Sequence, residues 1–141
     1  MKVLAFFQAF GFSRYVSRIL PGMLVKVTLC NFFTREVMRA LGVKLPDGML
    51  ANEMFDWLLK PDAREAGWEA AGPEVAQACA DQGRPVIAVS KNVDGHGHIA
   101  PLTLSLGQAG VWVSHVGQNM YLRCRLEYAF GNANVLFYVN K

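Results

Sequence analysis

Cys30, in the stretch LCNFFTREVMRALGV (29–43), and the three histidines His96, His98 and His115 are the side chains of this chain best suited to nucleophilic chemistry. A thiol attacks as its thiolate, and a thiolate is favoured where the free N–H groups of a helix N-terminus converge on it. Phe33, Val37, Met38 and Leu41 recur at helical spacing, which predicts a helix from Asn31 to Leu41 that begins just beyond Cys30. The same N–H groups, with the backbone of Cys30, are suited to hold the oxyanion of a tetrahedral intermediate. A cysteine nucleophile also needs a base, normally an imidazole, and a polar group to orient that base. His98 opens the strand candidate GHIAPLTLSLG, where a sheet would fix its ring. His96 lies two residues earlier in a Gly-rich turn, and His115 lies on the next strand candidate, VWVSHVG. Strand pairing that brought His115 beside His98 would supply base and orienter together.

Other chemistry has to be weighed against this. Free cysteine is among the most buried residue types, so core packing is the default for Cys30, Cys79 and Cys124. Three cysteines with no close spacing argue against a disulfide framework and against a CxxC metal site. His96-Gly-His98 with His115 would offer three imidazoles to a zinc ion, but no acid lies at a telling spacing, and no metal or cofactor is expected. Trp57 is expected in the core and Trp112 in packing on the strand face opposite His115. Trp68, in EAGWEAAG, is expected on a loop, where it could line a ligand groove. The acids Glu53, Asp56, Glu65 and Glu69 read as solvated faces.

The elements that must position these side chains divide the chain in two. Residues from about Val3 to Leu20 have helical periodicity, ended by Pro21-Gly22, although MKVLAFFQAFGF within residues 1–22 is also signal-like. After the Cys30 helix, Gly42 is placed to cap it. The turn VKLPDG leads to a second helix, LANEMFDWLLK, stopped by Pro61. A polar loop and a short helix from Pro73 to Asp81 follow. PVIAVS (85–90), GHIAPLTLSLG (97–107), VWVSHVG (111–117) and NVLFYVN (134–140) are strand candidates, and KNVDGHG suits a hairpin turn between the first two. Helices first and strands second predict an α+β fold with a mainly antiparallel sheet. With 141 residues, 52% of them hydrophobic, the chain suffices for one domain, 1–141, with one core. The net charge of +3 is spread along the sequence, with no basic face of the kind that binds nucleic acid, and would at most favour an anionic polymer such as a cell wall.

Cys30-Asn-Phe-Phe, then ALGVKLPDGMLANEM, then GHIA and VSHVGQN, in that order, resemble the papain-like peptidoglycan amidases of the CHAP and NlpC-like families. The pattern is also similar to the small amidase effectors of type VI secretion, in which a cysteine-led helix runs into an LGVPxPxG-type turn and an Ala-Asn-containing helix. The likeness spans roughly residues 25 to 120. It implies a papain-like fold and a cysteine hydrolase acting on an amide of cell-wall stem peptides. It makes Cys30 the nucleophile, His98 the base and His115 the third residue, with Asn119 as the other candidate. It further implies a monomer that needs no cofactor and acts on the wall as a secreted, periplasmic or phage-delivered protein, with an immunity or delivery protein as partner. Leu29, Asn31 and Phe32 stand where NlpC-like chains have Asp, Ser and Gly around the cysteine. That departure motivates one alternative, an inactive wall-binding module; the apolar N-terminal helix keeps open another, an acyltransferase using the same Cys–His logic on lipid.

Overall fold

A computed structural model of the protein describes residues 29–116 and 120–141. The expected first helix and the candidate Asn119 lie outside the described residues. Five helices and six strands are described: α1 (Leu29–Ala40), α2 (Ala51–Leu58), α3 (Pro61–Glu65), β1 (Trp68–Ala71), α4 (Pro73–Asp81), β2 (Val86–Ser90), β3 (His98–Pro101), β4 (Trp112–Val116), β5 (Met120–Arg125), α5 (Leu126–Phe130) and β6 (Leu136–Asn140).

In α1, Cys30, Phe33, Thr34, Val37 and Met38 are buried and repeat at the three-to-four-residue spacing of one helical face. The helix stops at Gly42, whose φ of 89° suits a residue without a Cβ, and the Val43 N–H bonds back to the Met38 carbonyl at 2.9 Å. Helix α2 follows a turn, and its Glu53 carboxylate reaches back to the Leu50 N–H at 3.1 Å, half of a capping box. Pro61 and Pro73 occupy the first turns of α3 and α4, where no N–H is needed.

Four strands form an antiparallel sheet in the order β1-β6-β2-β3, and β4 and β5 form a second, two-stranded sheet. Strand β2 is central and buried on both faces. Ile87, Val89 and Ile99 face one layer with Cys30, Phe33, Met38, Met54 and Trp68. Val86, Ala88 and Ala100 face the other with Cys79, Val113 and Phe130. The period of two along a strand therefore separates an α1–α2–α3 layer from a layer built by α4, α5 and the β4–β5 ribbon. A bridge between Leu102 and Val113, with the Thr103 N–H on the Trp112 carbonyl at 2.9 Å, ties β3 to β4. The α+β class and the antiparallel pairing are as expected.

Two local expectations fail. The segment expected to be a loop after Pro61 holds α3 and then β1, which pairs with β6 as Trp68↔Asn140 and Glu69↔Val139. Trp68 is 2% exposed and packs in the core from a strand rather than a loop, and it lines a cavity of about 370 Å³ with Leu58, Lys60, Arg64 and Tyr138. Its ring is recruited by a partner strand seventy residues away, which no local pattern encodes. The strand expected over 97–107 ends at Pro101, beyond which the chain turns toward β4.

Candidate functional site

Cys30 sits in the first turn of α1, one residue inside the helix rather than just before it. Its own N–H and that of Asn31 are directed at the sulfur. Across the interface, Thr34 Oγ1 donates to the Ile99 carbonyl at 3.3 Å, and the Ile99 N–H is directed at Cys30 Sγ. The sulfur thus lies against the backbone of β3 one residue after His98. Cys30 is 3% exposed. Burial raises its thiol pKa, and the N–H groups of Ile99, Asn31 and Cys30 work against that rise without cancelling it.

His98 is the first residue of β3 and pairs in register with Ser90. Its Nε2 is 3.0 Å from His115 Nδ1, with the rings nearly perpendicular at 73°. The Phe130 ring tilts against the other side of His98 at 4.7 Å between centroids. Enclosed in this way, His98 has its pKa pushed down to about 4, by burial first and by the neighbouring His115 second. Burial also lowers the pKa of His115. Both rings are therefore neutral near pH 7, and one proton is shared along the Nε2–Nδ1 axis.

Strand β4 delivers His115 through an irregularity. Between Val113↔Cys124 and His115↔Tyr121 the register slips, so one residue of β4, Ser114, opposes two of β5, Leu122 and Arg123. Ser114 Oγ fills the gap by donating to the Leu122 carbonyl at 2.8 Å. Such bulges re-aim side chains. Beyond His115 stand Tyr128, edge-on at 6.2 Å, and Tyr121, whose hydroxyl accepts from that of Tyr128 at 3.1 Å. Both tyrosines are exposed, so the His pair opens toward an aromatic surface.

The structure therefore pairs His98 with His115 and seats the Cys30 sulfur on the Ile99 N–H, one residue beyond His98 on β3. His96 is not drawn in: it is exposed on the β2–β3 loop and lines a cavity of about 220 Å³ with Leu50, Ala51, Asn52 and Glu53. Among the described residues no three His, Cys, Asp or Glu side chains are grouped as a metal ion would need, so the three-histidine arrangement does not form. Cys79 is buried, and Cys124 is half-buried with its thiol pKa pushed up to about 11. Arg123 and Arg125 cover the Trp112 ring, and Arg123 also bonds the carbonyls of Leu104 and Ser105.

The residues missed from sequence are Phe130, Tyr121 and Tyr128, all in the stretch 120–130, and Asn52. Leu122 and Cys124 alternate with Tyr121 and Arg123 there, and that strand-like alternation was the available signal. Among known proteins, no family model matches the chain and no curated protein is significantly similar to it.

Proposed function

We propose that the protein is a cysteine amidase of papain-like type that cleaves an amide bond in peptidoglycan stem peptides. The observation that carries this is the Cys30 sulfur, in the first described turn of α1, facing the Ile99 N–H one residue beyond His98, together with a His98–His115 pair whose Nε2–Nδ1 contact is 3.0 Å. The residue order, with the cysteine helix first and the histidine strands after it, and the sequence likeness support the choice of peptidoglycan.

The ring nitrogens assign the roles. His98 Nε2 is engaged with His115 Nδ1, so His98 Nδ1 is the atom left to serve Cys30. For Nδ1 to accept a proton, His98 must carry its hydrogen on Nε2 and donate it to His115 Nδ1. His115 then carries its own hydrogen on Nε2. The raised thiol and lowered imidazole pKa values make the resting pair neutral, a thiol and an imidazole. Proton transfer from Sγ to His98 Nδ1 accompanies attack of sulfur on the scissile carbonyl carbon. The N–H groups of Cys30 and Asn31 receive the oxyanion. The His98 imidazolium then gives its proton to the leaving amine as the C–N bond breaks. Water, deprotonated by His98, cleaves the thioester and regenerates the thiol.

A second reading has an observation behind it. A sulfur 3% exposed beside Asn31 and Phe32 is also what an inert core cysteine looks like. In that case the protein binds wall polymer without cutting it. An acyltransferase differs only in the acceptor that resolves the thioester. Digestion of purified peptidoglycan by wild type and Cys30→Ala, followed by mass spectrometry of released muropeptides, separates the readings. Amide-cleaved fragments from wild type alone are expected. Retention on the wall with no fragments from either protein would establish the binding module instead.

A further inference from the structure

The β2–β3 loop, residues 91–97, carries the chain from Ser90 to His98, and two side chains of α2 hold it, Asn52 at its middle and Asp56 at its start. Asn52 Nδ2 donates to the carbonyls of Asn92 at 2.8 Å and Gly95 at 3.0 Å, and its Oδ1 accepts from the Asn92 N–H at 3.0 Å. The amide also packs on the residue that precedes His98. A Cβ added at Gly97 would lie 2.4 Å from Asn52 Oδ1 and 2.3 Å from the Ser90 carbonyl oxygen. One helical turn further, Asp56 receives Lys91 Nζ at 2.8 Å and 3.0 Å. At the other end of the same helix, Asn31, the neighbour of Cys30, donates Nδ2 to the Met49 carbonyl at 2.6 Å. A continuous path thus runs from Cys30 through Asn31, Met49, α2, Asn52 and Gly97 to His98.

We propose that Asn52 is a positioning residue that sets the His98 imidazole relative to the Cys30 sulfur through the loop it clamps. The proposal rests on the Cys30–His98 reading of the site. His98 is the first residue of its strand, and the β2–β3 register begins only at the Ser90↔His98 pair. The approach of the preceding loop therefore has a large share in where the ring emerges. One planar amide satisfies two carbonyls and one N–H at once, a combination that a carboxylate lacks because it has no donor. Misplacement of a base by about an ångström is enough to cost a hundredfold in rate, so a clamp remote from the chemistry can act on kcat alone.

The test uses the full chain with Asn52→Ala, Asn52→Asp and Asp56→Ala. Each is measured for melting temperature, for kcat and KM on purified peptidoglycan well below that temperature, and for the pH profile of iodoacetamide alkylation at Cys30 read by peptide-resolved mass spectrometry. Asn52→Ala and Asn52→Asp are expected to lower kcat by about tenfold or more with KM within about twofold, and to move the alkylation profile. Asp56→Ala, which frees only the far end of the loop, should keep wild-type kcat. Wild-type kcat and alkylation in folded Asn52→Ala, or an equal loss in Asp56→Ala, would overturn the proposal. If Asn52→Ala does not fold, Asn52→Gln, which displaces the same amide by one methylene, should show the same split at smaller size, and wild-type behaviour there overturns it. If wild type cleaves nothing, the amidase reading falls by itself. The alkylation profile and the imidazole nitrogen resonances of His98 and His115 then decide on Asn52: a change in Asn52→Ala supports positioning, and none refutes it.

Discussion

His98 Nε2 and His115 Nδ1 meet at 3.0 Å with their ring planes 73° apart. Two neutral imidazoles in this contact hold one another in fixed tautomers, and neither supplies the negative charge that a carboxylate partner would. His98 is left a weak base in the free protein, with a pKa of about 4. Activity should follow from that.

The acid limb of kcat/KM is expected near pH 4, because His98 protonated below that value cannot accept the thiol proton. His115→Ala admits water and removes the neighbouring ring, so the limb should move up toward the ordinary imidazole value while kcat falls by about tenfold to a hundredfold. A pH–rate profile of both proteins checks this. A limb that stays in place in His115→Ala would mean the two rings do not communicate.

Stability should carry the same signature. The folded pKa of His98 lies below its unfolded value of about 6.5, so between pH 6.5 and 4 the unfolded chain binds more protons than the folded one. The protein is therefore expected to lose stability as pH falls through that window, by up to about 3 kcal/mol from this residue. His115 adds in the same direction. Denaturant melts at pH 7 and pH 4.5 should show a smaller difference for His98→Gln than for wild type.

Phe130 packs on His98 at 4.7 Å between centroids and is buried. Phe130→Ala should destabilise the fold by about 3–5 kcal/mol through the cavity it leaves. By hydrating His98 it should also raise the acid limb. Phe130→Leu, nearer in volume, should cost less and leave the limb close to that of wild type. Chemical melts and pH–rate profiles of the two variants report both effects.

Gly97 has no room for a methyl group between Ser90 and Asn52. Gly97→Ala should destabilise by about 1–3 kcal/mol through overpacking and lower activity more than melting temperature alone explains, because the displaced backbone is the one that carries His98. Gly95→Ala, whose nearest contact is Asn92 at 3.3 Å, is the milder control.

The legible parts of this protein were those governed by neighbours in sequence. The apolar spacing from Phe33 to Leu41 is a 3.6-residue period, so α1 and its buried face followed from it, as did the stop at Gly42 and the proline-started α4. The Asn, Asp and Gly content of KNVDGHG encodes a tight reversal, so β2 and β3 paired as expected. Cys30 at the head of α1 and His98 at the head of β3 were visible for the same reason. What the tertiary structure alone decided depended on pairings across long separations. Trp68 joined the core because β1 found β6, which also brings Tyr138 into the same cluster from the far end of the chain. His115, and not His96, met His98 because the Leu102–Val113 bridge and the slip in β4–β5 register aim its ring, whereas Asn52 holds the loop bearing His96 at the surface. Helical and turn propensities act over a few residues. The selection of one histidine over another depends on which strand edges remain free once the core has closed, and no single segment carries that information.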